Sequence, residues 1–455
     1  MELTGKKVLV VGFGKTGFST TRFLLQHGAV VTLNDIQNRI ELPREFVRQG
    51  VTVETGAHRI ETFVHQDCIV VSPGVSLMQR PIIEARSRGI EVISEIELAF
   101  RFLHAPLIAV TGTNGKTTTT ALIGSMLQQA GKKVFVGGNI GTPLIEAVMV
   151  PESFDYVVAE VSSFQLEAIE QFRPAVSVLL NLTEDHLDRH PTFEDYVQAK
   201  AAIFKNQQAS DVVVLNYDDP HVRSLAQQVR ARVCFFSTTS RLDEGIFYNG
   251  QVHLQQRHTS EQTFSLAGAR LQGAHNRENM LAAAAVGFAC GLPLEIIRTS
   301  IVSFQGLPHR MEFVAEVDGI AFYNDSKGTN VGACVRSLES LDPPIILIAG
   351  GKDKGGSYQP LRELVAQKVK ALIVIGEAQD RIVAELGALV PTVRAESLEA
   401  AVAQAFSRAC VGDRVLLSPA CASFDMFQSY EHRGRCFREA VAKLAGTAQP
   451  CTPKT

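Results

Sequence analysis

Short apolar runs recur along this chain, and each breaks into a stretch rich in glycine, serine, asparagine or aspartate. A segment with apolar residues at helical spacing follows most of them. Lys7–Val11, Val30–Leu33 and Cys68–Ser72 are expected as a first series of strands. Leu107–Val110, Val134–Val136, Asp155–Glu160, Ala175–Leu180 and Asp211–Leu215 make a second series. Ile320–Asn324, Ile345–Ala349, Leu372–Ile375 and Arg414–Leu417 make a third. Strands alternating with helices predict an α/β fold with largely parallel sheets. Between Cys234 and Leu271 the pattern changes to short alternating stretches, which predict antiparallel hairpins. The segment Gly306–Glu312 reads as a linker, and the expected domains are 1–94, 95–306 and 307–455.

The length of 455 residues suits about three domains, each with its own core. Lys plus Arg is 44 and Asp plus Glu is 47, a formal net charge of −3, so nothing pulls the chain toward nucleic acid or an anionic membrane. No apolar segment reaches the roughly 18 residues a membrane-spanning helix requires. The N-terminus MELTGKKVLVVG enters a strand directly, with an apolar run too short for a signal peptide. Eight cysteines are scattered without a C-x-x-C pair, which argues against a disulfide framework or a zinc site and fits a reducing cytoplasm.

The chemistry concentrates where strands end. LIAVTGTNGKTTTT (107–120) is an apolar strand, a glycine-containing loop and a helix start, the arrangement that points backbone N–H groups and a helix dipole at a phosphate. Gly112, Thr113, Asn114, Gly115, Lys116, Thr117 and Thr118 form this cradle, with Lys116 for the outer phosphates and the Thr117 hydroxyl for Mg²⁺. The general Walker pattern wants a glycine where Val110 stands, so GKT alone also fits a plain turn beside a surface lysine. Gly12-Phe-Gly14-Lys15-Thr16-Gly17 after the first strand, with Asp35 ending the second, has the spacing of a dinucleotide fingerprint. Taken alone it suggests an NAD-dependent dehydrogenase, although any nucleotide diphosphate can use such a cradle. Ser72-Pro73-Gly74 ends another strand, and Asn139 lies in the glycine-rich loop 137–143. Glu160 at a strand end suits a second Mg²⁺ ligand, yet also a solvated turn residue. NLTEDHLDRH (181–190) crowds Asp and His after a strand, and Pro191 argues for a loop that leaves one histidine near Mg²⁺ or substrate. Thr192 caps the next helix, on which Lys200 reads by default as solvated. Asn276 is a candidate cap of an alanine-rich helix, with Asn279 one turn inward. Three polar rims on three α/β domains suit an enzyme that joins two substrates at the expense of ATP.

GTNGKTT (112–118), EVSSFQL (160–166), NLTEDHLDRH (181–190), YVQAK (196–200), HNRENMLAA (275–283), GLPHRME (306–312), NDSKGTN (324–330) and SPACASFDMF (418–427) together resemble the Mur ligase family, in the family's order and from end to end. Within the family, GFGKTGFS, the SPG loop and SPACASFDMFQSYEHRG resemble the D-glutamate-adding branch. Folate-polyglutamate ligases are a related alternative that lacks a UDP-binding first domain. The resemblance implies a Rossmann-like N-terminal domain for a UDP-sugar, a central P-loop ATPase-like domain and a Rossmann-like C-terminal domain for an amino acid. It implies UDP-N-acetylmuramoyl-L-alanine, D-glutamate and ATP as substrates, two Mg²⁺ ions, an acyl phosphate intermediate and a cytoplasmic monomer. It also implies roles: Lys116 for the β/γ-phosphates, Thr117 and Glu160 for the first Mg²⁺, and His186 assisting the second. Lys200 matches a lysine carbamylated in the family, which makes it an anionic metal ligand. Asn276, Asn279, Arg310 and Asp325 are implied on the ATP side, and Lys15, Thr16, Asp35, Gly74 and Asn139 for the UDP-sugar. Lys327, Thr329, Lys354, Ser423 and Tyr430 are implied around D-glutamate, with Lys352 or Lys354 left open within GGKDKGG.

Overall fold

The computed structural model describes residues 1–186, 189–256, 260–271, 273–353 and 355–447. Three sheets carry the fold, and all three expected series of strands are present. The first contains β1 (Lys7–Val11), β2 (Val30–Asp35), β3 (Thr52–Thr55), β4 (Cys68–Val71) and β5 (Glu91–Ser94). Its order is β3-β2-β1-β4-β5 and every pairing is parallel. The chain builds outward from β1 on one side and then returns to the other, which opens a crevice at the C-terminal ends of β1 and β4.

The second sheet contains β6 (Leu107–Thr111), β7 (Val134–Gly138), β8 (Tyr156–Glu160), β9 (Val176–Leu179), β10 (Val212–Asn216), β11 (Arg232–Ser237), β12 (Gly245–Tyr248), β13 (Val252–Gln255) and β14 (Gln262–Phe264). The order β14-β13-β12-β11-β10-β9-β6-β8-β7 places β6 between β8 and β9. Loops leaving those three parallel strands therefore share one rim. The expected hairpins hold only for β12, β13 and β14. Cys234 lies instead in β11, which pairs in parallel with both β10 and β12. Its VCFF run is continuous rather than alternating, the pattern of a strand covered on both faces.

The third sheet contains β15 (Glu312–Val317), β16 (Ile320–Asn324), β17 (Ile345–Gly350), β18 (Val369–Ile375), β19 (Thr392–Arg394) and β20 (Arg414–Leu417), in the order β15-β16-β20-β17-β18-β19. Among the described residues of this sheet, only the β15–β16 pairing is antiparallel. Buried clusters cover both of its faces, one holding Ile346, Ile348 and Ile373, the other Leu347, Leu372 and Val374. This alternation within single strands is the period-two signature of a two-sided sheet.

The described chain divides into two compact units, 1–270 with 275–304, and 271–274 with 305–455. The first unit holds two of the sheets in one continuous core, in which Leu98 and Ala99 belong to the same buried cluster as Leu144 and Ile145. Among the described residues no helix is long and apolar enough to cross a membrane.

Candidate active site

A cleft of about 390 Å³ opens at the crevice of the first sheet, lined among others by Gly14, Lys15, Thr16, Asp35, Ser72 and Gly74. The fingerprint glycines explain its shape. Gly12 has φ +90, and a Cβ on Gly17 would lie 2.0 Å from the Gly12 carbonyl oxygen, so only glycine lets the helix Lys15–Gln26 seat this close to β1. The Asp35 carboxylate accepts from the Phe13 N–H at 2.7 Å and the Gln37 N–H at 2.8 Å, fixing the loop that frames the cleft. Asn139 lies elsewhere. It faces the second sheet, where its Nδ2 donates to Glu160 Oε1 at 2.9 Å.

The phosphate loop follows β6. Gly115 is the N-cap of the helix Lys116–Gln129, with φ +84. Asn279 Oδ1 lies where a Gly115 Cβ would come within 2.2 Å, and it accepts from the Thr119 hydroxyl at 3.2 Å. Asn279 Nδ2 in turn donates to Asn276 Oδ1 at 3.3 Å. Both asparagines are buried in the helix Ala274–Ala289, so Asn276 sits inside the first turn and is not the cap expected for it. Lys116 Nζ donates to the Gly112 and Thr113 carbonyls at 2.9 and 3.0 Å. The loop after β9 braces this cradle, since Thr113 N–H donates to the Asn181 carbonyl and Asn114 N–H to Asn181 Oδ1.

Glu160 is buried, and among the described residues its Oε2 has no hydrogen-bond partner. A buried carboxylate oxygen left unmatched is costly unless a cation or donor meets it. Among the described residues no three His, Cys, Asp or Glu side chains gather as a metal cage. The unmatched Glu160 oxygen fits a Mg²⁺ ion, which binds through one or two carboxylates together with substrate phosphates and water.

Lys200 corrects the expectation of a solvated lysine. It is 2% exposed on the helix Phe193–Ala201, which starts with the expected Thr192 cap in a capping box with Asp195. Its Nζ donates to the Gly112 carbonyl at 3.0 Å and lies 4.6 Å from the Tyr196 ring centroid. Burial, and then the charge of Lys116, hold its pKa well below the ordinary lysine range. Tyr196 reaches the same loop, its hydroxyl 3.1 Å from Thr113 Oγ1.

Asp185, His186, Arg189 and His190 lie in no helix or strand, and Leu187 and Asp188 of the same segment lie outside the described residues. His186 is half exposed at φ +55, with Phe164 edge-on at 4.9 Å. His190 is a buried bracing group, with Nε2 3.0 Å from Ser163 Oγ, and burial lowers its pKa. Sequence reasoning did not single out Arg189, which donates to Glu167 and to the Val75 carbonyl of the first sheet's loop, both at 2.8 Å. Nothing in a polar loop distinguishes such an arginine from a solvated one.

In the second unit the NDSKGTN and SPACASFD loops leave the adjacent strands β16 and β20. Asp325 is buried, and its Oδ2 accepts from Ser337 and Ser418 hydroxyls at 2.7 and 2.9 Å. Burial pushes this carboxyl up to about 6. Lys327 Nζ stands 3.8 Å from the Tyr430 ring centroid, which brings two expected residues together. Thr329 N–H donates to the Lys327 carbonyl, and Ser423 is buried. Arg310 N–H donates to the Leu307 carbonyl in the linker turn. Lys352 pairs by backbone with Ala422, whereas Lys354 lies outside the described residues. Arg433 was also missed: its buried guanidinium donates to Ser326 Oγ and to the Ser326, Ala422 and Cys421 carbonyls, tying the two loops together.

A phosphate loop braced by Asn181 and a buried lysine, with a buried carboxylate on the neighbouring strand of a largely parallel sheet, defines a nucleotide-dependent enzyme of the α/β class. The Mur ligase MurD-like N-terminal domain matches residues 6–94, the Mur ligase middle domain 110–287, and the Mur ligase glutamate ligase domain 309–421. The chain belongs to the Mur ligase family. It is 51% identical over 450 residues to a protein of Geotalea daltonii named UDP-N-acetylmuramoylalanine–D-glutamate ligase, covering 98% of this chain and 99% of that one. A Koribacter versatilis protein of the same name is 47% identical over 449 residues, with 98% and 99% covered. The fold is similar to that of a pseudomurein peptide ligase type C from Methanothermus fervidus (TM-score 0.61, 20% identity, 97% and 100% covered). It is also similar to UDP-N-acetylmuramate-alanine ligase from Thermotoga maritima (TM-score 0.59, 18% identity, 96% and 99% covered). The dehydrogenase reading of the first fingerprint finds no support in these matches.

Proposed function

We propose that this chain is an ATP-dependent, ADP-forming ligase that joins D-glutamate to UDP-N-acetylmuramoyl-L-alanine in peptidoglycan precursor synthesis. The observation that carries the reading is the 51% identity, over nearly the whole of both chains, to a relative named for that reaction. In this reading residues 1–94 take the UDP-sugar, 95–306 take ATP and 307–455 take the amino acid, in a cytoplasmic monomer. The terminal carboxylate of UDP-N-acetylmuramoyl-L-alanine attacks the γ-phosphorus of ATP, giving an acyl phosphate and ADP. The amine of D-glutamate then attacks the acyl carbon, the amide bond forms, and phosphate leaves while the nitrogen loses its proton.

The protein's contribution is positioning and charge neutralisation. Lys116 and the N–H groups from Gly112 to Thr118 hold the β- and γ-phosphates. Thr117 and Glu160 would hold a Mg²⁺ ion, and His186 with carbamylated Lys200 would assist a second, which when bound would supply positive charge beside the transferring phosphoryl group. The buried, weakly basic Lys200 amine supports this assignment, because only the neutral amine attacks CO₂ to form a carbamate. Asn276, Asn279, Arg310 and Asp325 serve ATP. Lys15, Thr16, Asp35, Gly74 and Asn139 serve the UDP-sugar. Lys327, Thr329, Lys354, Ser423 and Tyr430 bind D-glutamate, cations and hydroxyls suiting a dicarboxylate.

Phosphate release from ATP tests the reading, with UDP-N-acetylmuramoyl-L-alanine and D-glutamate, L-glutamate or neither. Release with D-glutamate alone is expected. Release with a different amino acid would move the acceptor assignment, and no release in any mixture would sink the reading.

A further inference from the structure

The loop between β7 and the short helical turn Leu144–Val148 is held at three places. At its start, the Asn139 N–H donates to the Glu160 carbonyl at 2.8 Å and Asn139 Nδ2 to Glu160 Oε1 at 2.9 Å. At its tip, the Gly141 carbonyl accepts from Lys15 Nζ, at the rim of the first sheet's cleft. At its foot, the buried Glu95 Oε1 accepts from the Ile145 N–H at 2.6 Å. Beside that foot, Arg22 on the same helix as Lys15 pairs with Glu146 at 2.6 Å. The loop itself is stiff: Gly138 N–H donates to the Thr142 carbonyl, and a Cβ on Gly137 would lie 2.3 Å from that same oxygen. Glu95 touches neither the cleft nor Glu160. Its Oε2 is buried without a partner among the described residues, and burial pushes the carboxyl up to about 7, so the fold retains this acid at an electrostatic cost.

We propose that Glu95 is a positioning residue: by anchoring the foot of loop 137–145 it sets Asn139 against Glu160 and Gly141 against Lys15, coupling occupancy of the UDP-sugar cleft to nucleotide–metal binding at Glu160. The proposal rests on the ligase reading above. An anionic diphosphate in the cleft competes with the Gly141 carbonyl for the Lys15 ammonium. The loop then loses its tip contact, and a stiff loop with a fixed foot transmits that change to Asn139. Glu160 Oε1 is thereby freed toward a cation. Coupling of this kind is reciprocal between the two sites.

Calorimetry of a non-hydrolysable Mg·ATP analogue, with and without saturating UDP-N-acetylmuramoyl-L-alanine, tests it. The wild-type chain is expected to bind the analogue about fivefold or more tightly with the UDP-sugar present, the usual lower range of such coupling. Glu95→Ala should bring the ratio to about one while each ligand alone binds within about threefold of wild type. Glu95→Gln keeps an acceptor for the Ile145 N–H and should restore most of the ratio, a rescue that loss of packing alone would not show. Lys15→Met alters an exposed side chain, so its folding is secure, and at saturating UDP-sugar its ratio should also fall to about one. A wild-type ratio of one with both ligands bound, or a full ratio in Lys15→Met or a folded Glu95→Ala, would overturn the coupling. Failure of wild type to bind the UDP-sugar at all would overturn the ligase reading, and the coupling with it.

Discussion

At the residue scale, Lys200 separates what composition reveals from what burial reveals. A lysine among Val, Gln and Ala on a helix is ordinarily solvated, and no pattern in EDYVQAK says otherwise. The structure buries it beneath the phosphate loop, next to Lys116, where a persistent ammonium would be doubly disfavoured. Glu160 was legible in place but not in environment: the strand pattern puts it at the end of β8, beside β6, and only the structure shows it buried rather than a solvated turn residue. Carbon-13 bicarbonate NMR is expected to show a carbamate resonance in the wild-type chain that is missing in Lys200→Arg. Turnover of Lys200→Ala or Lys116→Ala is expected to fall by at least about 100-fold, a typical scale for losing a charge-stabilising group at a transferring centre. Near-normal phosphate release in either variant would remove that residue from the mechanism.

At the scale of elements, strands and their terminal loops were legible because parallel strands are continuous apolar runs and phosphate loops need glycine at fixed places. The parallel pairing of β11 with β12 was not, since partner choice depends on what covers the sheet. Two glycines allow the two nucleotide cradles to be separated. At Gly115, φ +84 and the 2.2 Å approach of Asn279 Oδ1 leave no room for a methyl group, and the obstruction is a buried, hydrogen-bonded amide. Gly115→Ala is therefore expected to weaken binding of an ATP analogue by tenfold or more, about 1.4 kcal/mol, and to leave UDP-sugar binding intact. Gly17→Ala would push the helix Lys15–Gln26 off the Gly12 carbonyl and should do the reverse. Calorimetry with each ligand separately reads both, and equal losses for both ligands in either variant would show one cradle where the fold has two.

At the scale of the whole molecule, sequence spacing revealed three α/β layers but not that the first two share one core, because the contacts of helix Glu95–Phe100 leave no periodic trace. The same merging buries an acid, and buried acids recur in both units. Burial pushes Glu95 in the first unit up to about 7 and Asp325 in the second up to about 6, and partial burial pushes Glu278 up to about 7. A carboxyl whose folded pKa lies above its unfolded value keeps a proton that the unfolded chain has already released. Between about pH 4 and 7 the folded state therefore binds more protons, and stability falls as pH rises through that window. Each group contributes up to about 3 kcal/mol by this linkage. Unfolding of a chain with two compact units need not be a single transition, so hydrogen exchange resolved by segment is the suitable measurement. Protection around 144–148 is expected to fall between pH 5 and 8 in the wild-type chain and to change less in Glu95→Gln. Protection around 325–337 should show the same fall at lower pH, and Asp325→Asn should flatten it without altering the first unit. A rise in protection with pH at either place would mean that the carboxyl is ionised in the fold and met by a cation or donor.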